Sequence, residues 1–157
     1  MSSYKPVRKI MCAIDLSEHS RAVLDESFHL AEKLGAELLI VNVINERRFE
    51  ELERLAGRFQ TMDMENVVDR AINSLESEHA ERLKSWLSET DERGVTHSSL
   101  ITVGVPWEKI LEKAEIENID LIVMGAKGRG SIARQLRFGS TAEKVFRRAT
   151  RRVLFVR

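Results

Sequence analysis

Short apolar runs alternate along the chain with longer segments in which apolar residues recur at helical spacing. Five of these runs predict strands, at residues 9–14, 37–43, 96–103, 120–124 and 152–156. The second run is continuously apolar over residues 38–41, which indicates a strand buried on both faces, as in a parallel sheet. Because the runs alternate with helical segments, the pattern predicts a doubly wound α/β fold with helices on both faces of a five-stranded parallel sheet.

Residues suited to helix termini stand at the ends of the helical segments. The hydroxyl of Ser17 can cap the backbone amides at the start of the first helix, and Gly35 is placed to end it. Gly94 is placed to end a long helix over residues 65–93, and Pro106 suits the first turn of the helix after the third strand. These signals set the expected boundaries between strands and helices.

The stretch between the second strand and the long helix, residues 45–64, has no decisive pattern. It is compatible with a charged helix and with a mobile insert. No segment has the composition of a linker, so residues 1–157 are expected to form a single domain. No apolar run is long enough to span a bilayer, and residues 1–5 lack the apolar core of a signal peptide. We therefore expect a cytosolic protein without a membrane partner.

The net charge of zero conceals an uneven distribution. Residues 127–157 contain ten lysines and arginines and one acid, whereas residues 46–92 contain thirteen acids and seven bases. Such a basic end can hold phosphates or form a solvated face that the acidic middle balances, and charge alone leaves both interpretations open. Its paired arginines lack interleaved aromatic residues, so nucleic acid is not expected as a partner. Cys12 lies in an apolar run, which favours a buried, inert thiol.

The strongest candidate for a binding site is the glycine-rich loop after the fourth predicted strand, from Gly125 to Gly139. Glycines let backbone amides approach an anion closely, and a helix that begins at Ser140 offers its free amides and positive dipole end. Lys127 and Arg129 add positive charge to this loop. The alternative is a flexible surface loop followed by an ordinary helix cap. A Walker A loop is excluded because its Gly-Lys-Ser/Thr ending is missing.

Asp15 ends the first predicted strand, and its carboxylate can bind a base or a ribose or cap the following helix. Ligands in such folds bind beyond the carboxyl ends of the strands. If the first and fourth strands are neighbours, Asp15 and the glycine-rich loop face one cleft. No catalytic residue is expected, because the Gly-x-Ser-x-Gly motif of hydrolases is absent. The four histidines show no metal-ligand spacing, so no metal site made of protein ligands alone is expected either.

Several separate segments resemble the universal stress protein family, and in particular its ATP-binding type. The family signature is Gly, two residues, Gly, nine residues, and Gly-Ser or Gly-Thr. The chain follows this signature at Gly125, Gly128 and Gly139-Ser140. Asp15 matches the family's first-strand aspartate, and Val43 matches its second-strand valine. The resemblance covers essentially the whole chain, with one departure: the loop over residues 129–138 has ten residues where the family pattern has nine.

The resemblance implies an adenine-nucleotide alpha-hydrolase-like fold and a bound ATP, AMP or ADP, accompanied by Mg²⁺ or Mn²⁺. The residues that it implies in nucleotide binding are Ala13, Asp15, Val43, Met124, Gly125, Gly128, Arg129, Gly139, Ser140 and Thr141. Asp15 and the backbone of Val43 would hold the adenine and ribose, while the glycines and hydroxyls after the fourth strand would contact ribose and phosphates. It also implies a homodimer through the last strand, residues 152–156, with an isologous interface.

The function implied by the resemblance is that of a stress-response sensor or switch. ATP would stabilise one loop conformation and hence one surface for a protein partner. At most slow ATP hydrolysis is expected, because no acid stands out as a general base for water. The alternative is a nucleotide-free interaction protein of the same fold, whose pocket is disabled by the longer loop. A third hypothesis is an adenylate-transferring enzyme. It is disfavoured because the chain lacks the Ser-Gly-Gly loop that such enzymes have after the first strand.

Overall fold

The computed structural model describes residues 5–58, 63–127 and 138–157. Its strands are β1 (Lys9–Ile14), β2 (Glu37–Asn45), β3 (His97–Gly104), β4 (Leu121–Gly125) and β5 (Arg152–Val156). Its helices are α1 (His19–Leu34), α2 (Arg47–Ala56), α3 (Met64–Glu89), α4 (Pro106–Ile116) and α5 (Ser140–Arg148). The strands form a parallel sheet in the order β3-β2-β1-β4-β5, which confirms the predicted doubly wound fold. Within the described residues, no helix combines the length and the apolar character that crossing a membrane requires.

Helices cover both faces of the sheet, and the central strands β1, β2 and β4 are mostly buried. On one face, Ile10 and Cys12 of β1 pack in a core shared with α1 and α3. On the other face, Met11 and Ala13 pack in a core shared with α4 and α5. Successive residues of a strand point to opposite faces of a sheet, so a strand covered on both sides has no polar alternation. This double burial is the physical reason for the continuously apolar runs in the sequence.

The central strand β1 positions the candidate site. It pairs with β2 on one side and with β4 on the other, so the condition for Asp15 and the glycine-rich loop to face one cleft is met. Ile14 stands opposite Asn42 of β2, and Ala13 stands opposite Met124 of β4. The segments that follow β1, β2 and β4 therefore leave the sheet side by side at its carboxyl edge.

The start of α1 differs from the prediction that Ser17 caps it. The helix begins at His19, and no side chain of its N-cap residue Glu18 bonds to the first turn. The hydroxyl oxygen of Ser17 is buried and has no hydrogen-bond partner among the described residues. Asp15 holds the turn instead, because its carboxylate accepts hydrogen bonds from the Ser17 backbone N–H at 3.0 Å and from the Ser20 hydroxyl at 2.7 Å.

The structure corrects the predicted end of α3 and shows what most of the undecided stretch before it forms. The long helix α3 ends at Glu89 rather than at residue 93, because Thr90 is extended and its hydroxyl donates to the Trp86 carbonyl at 2.8 Å. Gly94 has a φ of +68° and lies in the turn before β3. Much of the undecided stretch 45–64 forms the charged helix α2, while residues 59–62 of it lie outside the described part.

Cys12 and Trp86 are packing residues, and for Cys12 the sequence indicated this. Cys12 is fully buried, and burial raises the pKa of its thiol to about 12, so the nucleophilic thiolate does not form near neutral pH. Trp86 is 5% exposed and joins the core on the α1 and α3 side. The guanidinium groups of Arg21 and Arg82 lie 4.7 and 5.6 Å from its ring centre. These contacts occupy the ring and leave it unsuited to stacking on a base.

Candidate functional site

A cavity of about 490 Å³ opens at the carboxyl edge of the sheet. Its volume lies within the range of small-molecule sites, and its position matches the usual ligand position in doubly wound sheets. The sequence-predicted residues that line it are Ala13, Asp15, Val43, Met124, Gly125, Gly139, Ser140 and Thr141. Gly128 and Arg129, together with residues 130–137 of the loop, lie outside the described residues. Sequence reasoning thus placed eight of its ten candidates around one cavity.

Asp15 belongs both to the turn after β1 and to the wall of the cavity. Besides the bonds from Ser17 and Ser20, its own backbone N–H donates to the Ser20 hydroxyl at 3.2 Å. Ser20 is 4% exposed, so this pair of contacts is shielded from water. The arrangement fixes the direction of the carboxylate before any ligand binds, which lowers the entropic cost of using it for recognition.

Leu16 gives the turn its unusual shape. Its φ is +59°, a left-handed conformation that costs a residue with a Cβ roughly 1–2 kcal/mol. Its side chain is fully buried, which contributes about 1.5–3 kcal/mol in the opposite direction. The turn at Leu16 lets its two neighbours, Asp15 and Ser17, both face the cavity while the leucine side chain enters the core. Strained residues of this kind are commonly found at binding sites.

A buried polar relay forms part of the cavity wall. The Asn42 side-chain amide donates to the Ile14 carbonyl at 2.9 Å, and its side-chain oxygen lies 2.7 Å from Nδ1 of His79 on α3. Because the Ile14 carbonyl can only accept, the orientation of the Asn42 amide is fixed, and Nδ1 of His79 must carry the hydrogen. Asn42 is 1% exposed and His79 is 7% exposed. The relay joins the ends of β1 and β2 to α3.

Sequence reasoning missed this relay. Asn42 is the polar residue within an apolar run that extends from residue 38 to residue 44, and buried polar groups require a partner. That signal could have marked Asn42. It could not have identified His79, which lies 37 residues away in a helix with several other polar residues.

The N-terminus of α5 borders the cavity on the β4 side. Gly139 precedes the helix, and its N–H donates to the Ala126 carbonyl at 2.7 Å, which ties the helix start to the end of β4. Gly139 is also the N-cap residue of this helix, and it has no side chain that could cap the first backbone amides. The backbone amides of Ser140 and Thr141, together with the positive end of the helix dipole, can therefore serve an anion.

The charges around the cavity favour an anionic ligand. Of the described residues that line it, Asp15 is the one carboxylate, and its Oδ1 is engaged by Ser17 and Ser20. Among the same described residues, the cationic or protonatable side chains are His19, Arg48, His79 and Lys127. Focused positive charge in a cleft attracts anions such as phosphate groups.

A divalent cation would find few protein ligands here. Among the described residues, no group of three or more His, Cys, Asp or Glu side chains is arranged to hold a metal ion. Asp15 is the one carboxylate in the described part of the lining, so Mg²⁺ or Mn²⁺ would depend on phosphate oxygens and water for most of its coordination, which is how Mg²⁺ usually binds together with nucleotides. The residues present thus fit a cation that arrives with a phosphate ligand.

Solved structures share this fold. The structure of the protein MJ0577 aligns with a TM-score of 0.75 and 24% identity, covering 97% of this chain and 96% of that one. A universal stress protein from Archaeoglobus fulgidus in complex with dAMP aligns with a TM-score of 0.61 and 20% identity, covering 98% and 100%. A universal stress protein in complex with cAMP aligns with a TM-score of 0.60 and 22% identity, covering 97% and 98%. The fold is the adenine-nucleotide alpha-hydrolase-like one.

Sequence comparisons agree with the fold. Universal stress protein MJ0577 of Methanocaldococcus jannaschii is 25% identical over 154 residues, which cover 96% of this chain and 94% of the relative. Universal stress protein YxiE of Bacillus subtilis is 31% identical over 149 residues, which cover 95% and 98%. The model of the universal stress protein family matches residues 6–157. The chain therefore belongs to the universal stress protein family.

Proposed function

We propose that this protein binds an adenine nucleotide, ATP with AMP or ADP as alternatives, in the cavity at the carboxyl edge of the sheet. The observation that carries the proposal is that the N-terminus of α5, which has no side-chain cap, borders a cavity whose charges favour an anion. The related structures in complex with dAMP and cAMP support an adenine nucleotide as the ligand class.

The proposed roles follow the positions of the residues in the cavity wall. Asp15 binds the ribose through its pre-oriented carboxylate, and the backbone of Val43 binds the adenine. Ser140 and Thr141 bind phosphates through backbone amides and hydroxyls. The other residues in the proposal line the ligand, namely Ala13, Met124, Gly125 and Gly139. The family signature adds Gly128 and Arg129, which lie outside the described residues.

We propose that nucleotide binding acts as a stress-response switch rather than as an efficient ATPase. Asp15 is the one carboxylate in the described cavity lining and is proposed to bind the ribose, so no second acid among the described lining residues serves as a general base for water. A bound nucleotide would stabilise the folded state and one conformation of the loop after β4, and thereby one surface for a protein partner. Mg²⁺ or Mn²⁺ would accompany a triphosphate.

A homodimer through β5 is the proposed assembly. The strand β5 pairs with β4 and forms one edge of the sheet. An aromatic cluster borders this edge: the Phe155 ring on β5 lies 5.2 Å from the Phe138 ring and 6.3 Å from the Phe146 ring, measured between ring centres. Phe146 is 66% exposed and Leu154 is 37% exposed, so the edge presents apolar surface that a second copy could cover.

The nucleotide proposal is tested by calorimetric titration of ATP-Mg, AMP and GTP into the folded protein, freed of any carried-over ligand. We expect saturable binding of the adenine nucleotides that Asp15→Ala weakens by about tenfold or more, since a charge-assisted hydrogen bond contributes about 1.5–3 kcal/mol. Asp25→Ala is the matched control, because Asp25 is an exposed acid on α1 outside the cavity. Absence of binding by any nucleotide would favour the nucleotide-free interaction protein instead.

A further inference from the structure

Arg48 stands at the mouth of the cavity beside the end of β2. The start of α2 holds it there. The Glu46 N–H donates to the Gly104 carbonyl at the end of β3 at 3.1 Å, and the Arg47 N–H donates to the Asn45 side-chain oxygen at 3.1 Å. The next residue, Phe49, is 4% exposed and anchors α2 to the protein. Backbone contacts and the neighbouring phenylalanine thus position Arg48.

The Arg48 guanidinium group is available for a ligand. It is exposed and forms no hydrogen bond or ion pair with any residue in the described part of the chain. Several other arginines each pair with a glutamate, namely Arg21, Arg54, Arg93, Arg147 and Arg151. Arg48 lacks such a pair although Glu50 and Glu51 lie in the same helix. Its charge is therefore not neutralised by a described neighbour.

The surroundings of Arg48 suit a base better than a phosphate. The proposed phosphate site lies at the α5 N-terminus beyond β4, and β1 separates β4 from β2. At a strand spacing of about 4.8 Å, the ends of β2 and β4 lie roughly 10 Å apart. The lining that β2 and α4 contribute is mostly apolar: Val41, Val43, Ile44, Pro106 and Ile110 outnumber the polar Asn42 and Asn45. Apolar walls of this kind receive the flat face of a base.

We propose that Arg48 stacks its guanidinium plane on the base of the bound nucleotide and closes the base end of the cavity. The inference rests on the proposed nucleotide site and adds to it a base-contacting residue on α2. Guanidinium planes stack on bases, whereas the ammonium group of lysine is a compact point charge without a flat face. A stacking contact recognises the base and is independent of the number of phosphates on the ligand.

The test compares the affinities of ATP, AMP and adenosine for the wild-type protein, R48A and R48K. Stacking predicts that R48A weakens all three ligands by a similar factor, on the order of tenfold, and that R48K recovers little of the loss. R47A is the matched control, since Arg47 is the exposed neighbour in the same turn and does not line the cavity. We expect R47A to bind all three ligands as the wild type does, and R48A to melt at the wild-type temperature.

Three results would overturn the inference. Unchanged affinities in R48A would remove Arg48 from the site. A loss that grows from adenosine through AMP to ATP would assign Arg48 to the phosphates. A wild-type protein that binds none of the three ligands would overturn the proposed nucleotide site itself, and with it the role of Arg48. The first two results leave the nucleotide site intact, so the two failures are distinguishable.

Discussion

At the scale of single residues, Leu16 shows how the site is built at the expense of backbone strain. Its left-handed backbone favours glycine, while its buried side chain favours leucine. Both Leu16→Gly and Leu16→Ala lose the buried side chain and are expected to destabilise the fold by about 2–5 kcal/mol. Of the two, Leu16→Gly should be the more stable by about 1 kcal/mol, because only alanine keeps the strain.

Urea unfolding of the two Leu16 variants measures this difference directly. In an ordinary helix or strand, alanine would be the more stable replacement by a similar amount. An alanine variant at least as stable as the glycine variant would therefore show that the position is not strained.

The residues of the site differ in how far the sequence could predict them. Asp15 and Ser140 follow directly from strand ends and a glycine-rich loop, so local pattern was sufficient to place them at the cavity. Arg48 was missed because its stretch of sequence had no decisive pattern. His79 was missed because its role depends on a contact with Asn42 that exists only after α3 packs against the sheet.

At the scale of elements, the hydrogen bonds of Asn42 with Ile14 and His79 tie α3 to the sheet, and their contribution to the free energy of unfolding can be measured. Replacing Asn42 by leucine leaves the buried Ile14 carbonyl and the His79 N–H without their partner, and replacing His79 by leucine leaves the Asn42 oxygen without its donor. Each single change is expected to destabilise the fold by about 1–3 kcal/mol. Removal of both polar groups should cost less than the sum of the two single changes.

A double-mutant cycle by urea unfolding checks this coupling. The Asn42→Leu and His79→Leu variants are compared with the variant carrying both changes. We expect a coupling energy of about 0.5–3 kcal/mol between the two positions. Additive effects would mean that the Asn42 and His79 side chains stabilise the protein independently, contrary to the hydrogen bond between them.

Element boundaries reveal where local sequence signals compete with packing. The strands β1 and β5 begin and end where the apolar runs do, because both ends of each run are marked by charged or polar residues. The end of α3 was predicted four residues late, since Gly94 resembled a helix stop while the Thr90 hydroxyl donates to the Trp86 carbonyl in the last turn. The prediction that Ser17 caps α1 was wrong for a similar reason. The Asp15 carboxylate, which accepts hydrogen bonds from the Ser17 N–H and the Ser20 hydroxyl, holds the turn before the helix instead.

At the scale of the whole molecule, the proposed dimer makes a prediction about the exposed β5 edge. Phe146→Asp places a charge in the aromatic cluster and should convert the dimer to a monomer, because a buried unpaired carboxylate opposes association. Leu34→Asp is a matched control, since Leu34 is 43% exposed on α1 and lies outside that cluster. Sedimentation equilibrium of both folded variants measures the effect. A wild-type protein that stays monomeric, or a Phe146→Asp variant that stays dimeric, would contradict the proposed interface.

The topology was the most predictable feature of the molecule. Alternation of apolar runs with helical segments leaves few arrangements other than a doubly wound parallel sheet. Adjacency of β1 and β4 then brings Asp15 and Gly139 to one cavity. The position of α2 beside that cavity could not be predicted, because it depends on the burial of Phe49 and on a backbone hydrogen bond to the end of β3.

The proposed function requires an adenine nucleotide in the cavity at the carboxyl edge of the sheet. An ATP-Mg titration followed by amide ¹H–¹⁵N spectra tests it most directly, because each backbone amide reports on its own surroundings. We expect saturable shifts at Asp15, Val43, Ser140 and Thr141, which line the cavity. The amides of Ala36 and Val95 lie at the opposite edge of the sheet and should remain unchanged. Shifts confined to residues outside the cavity, or no shifts at saturating ATP, would contradict the account.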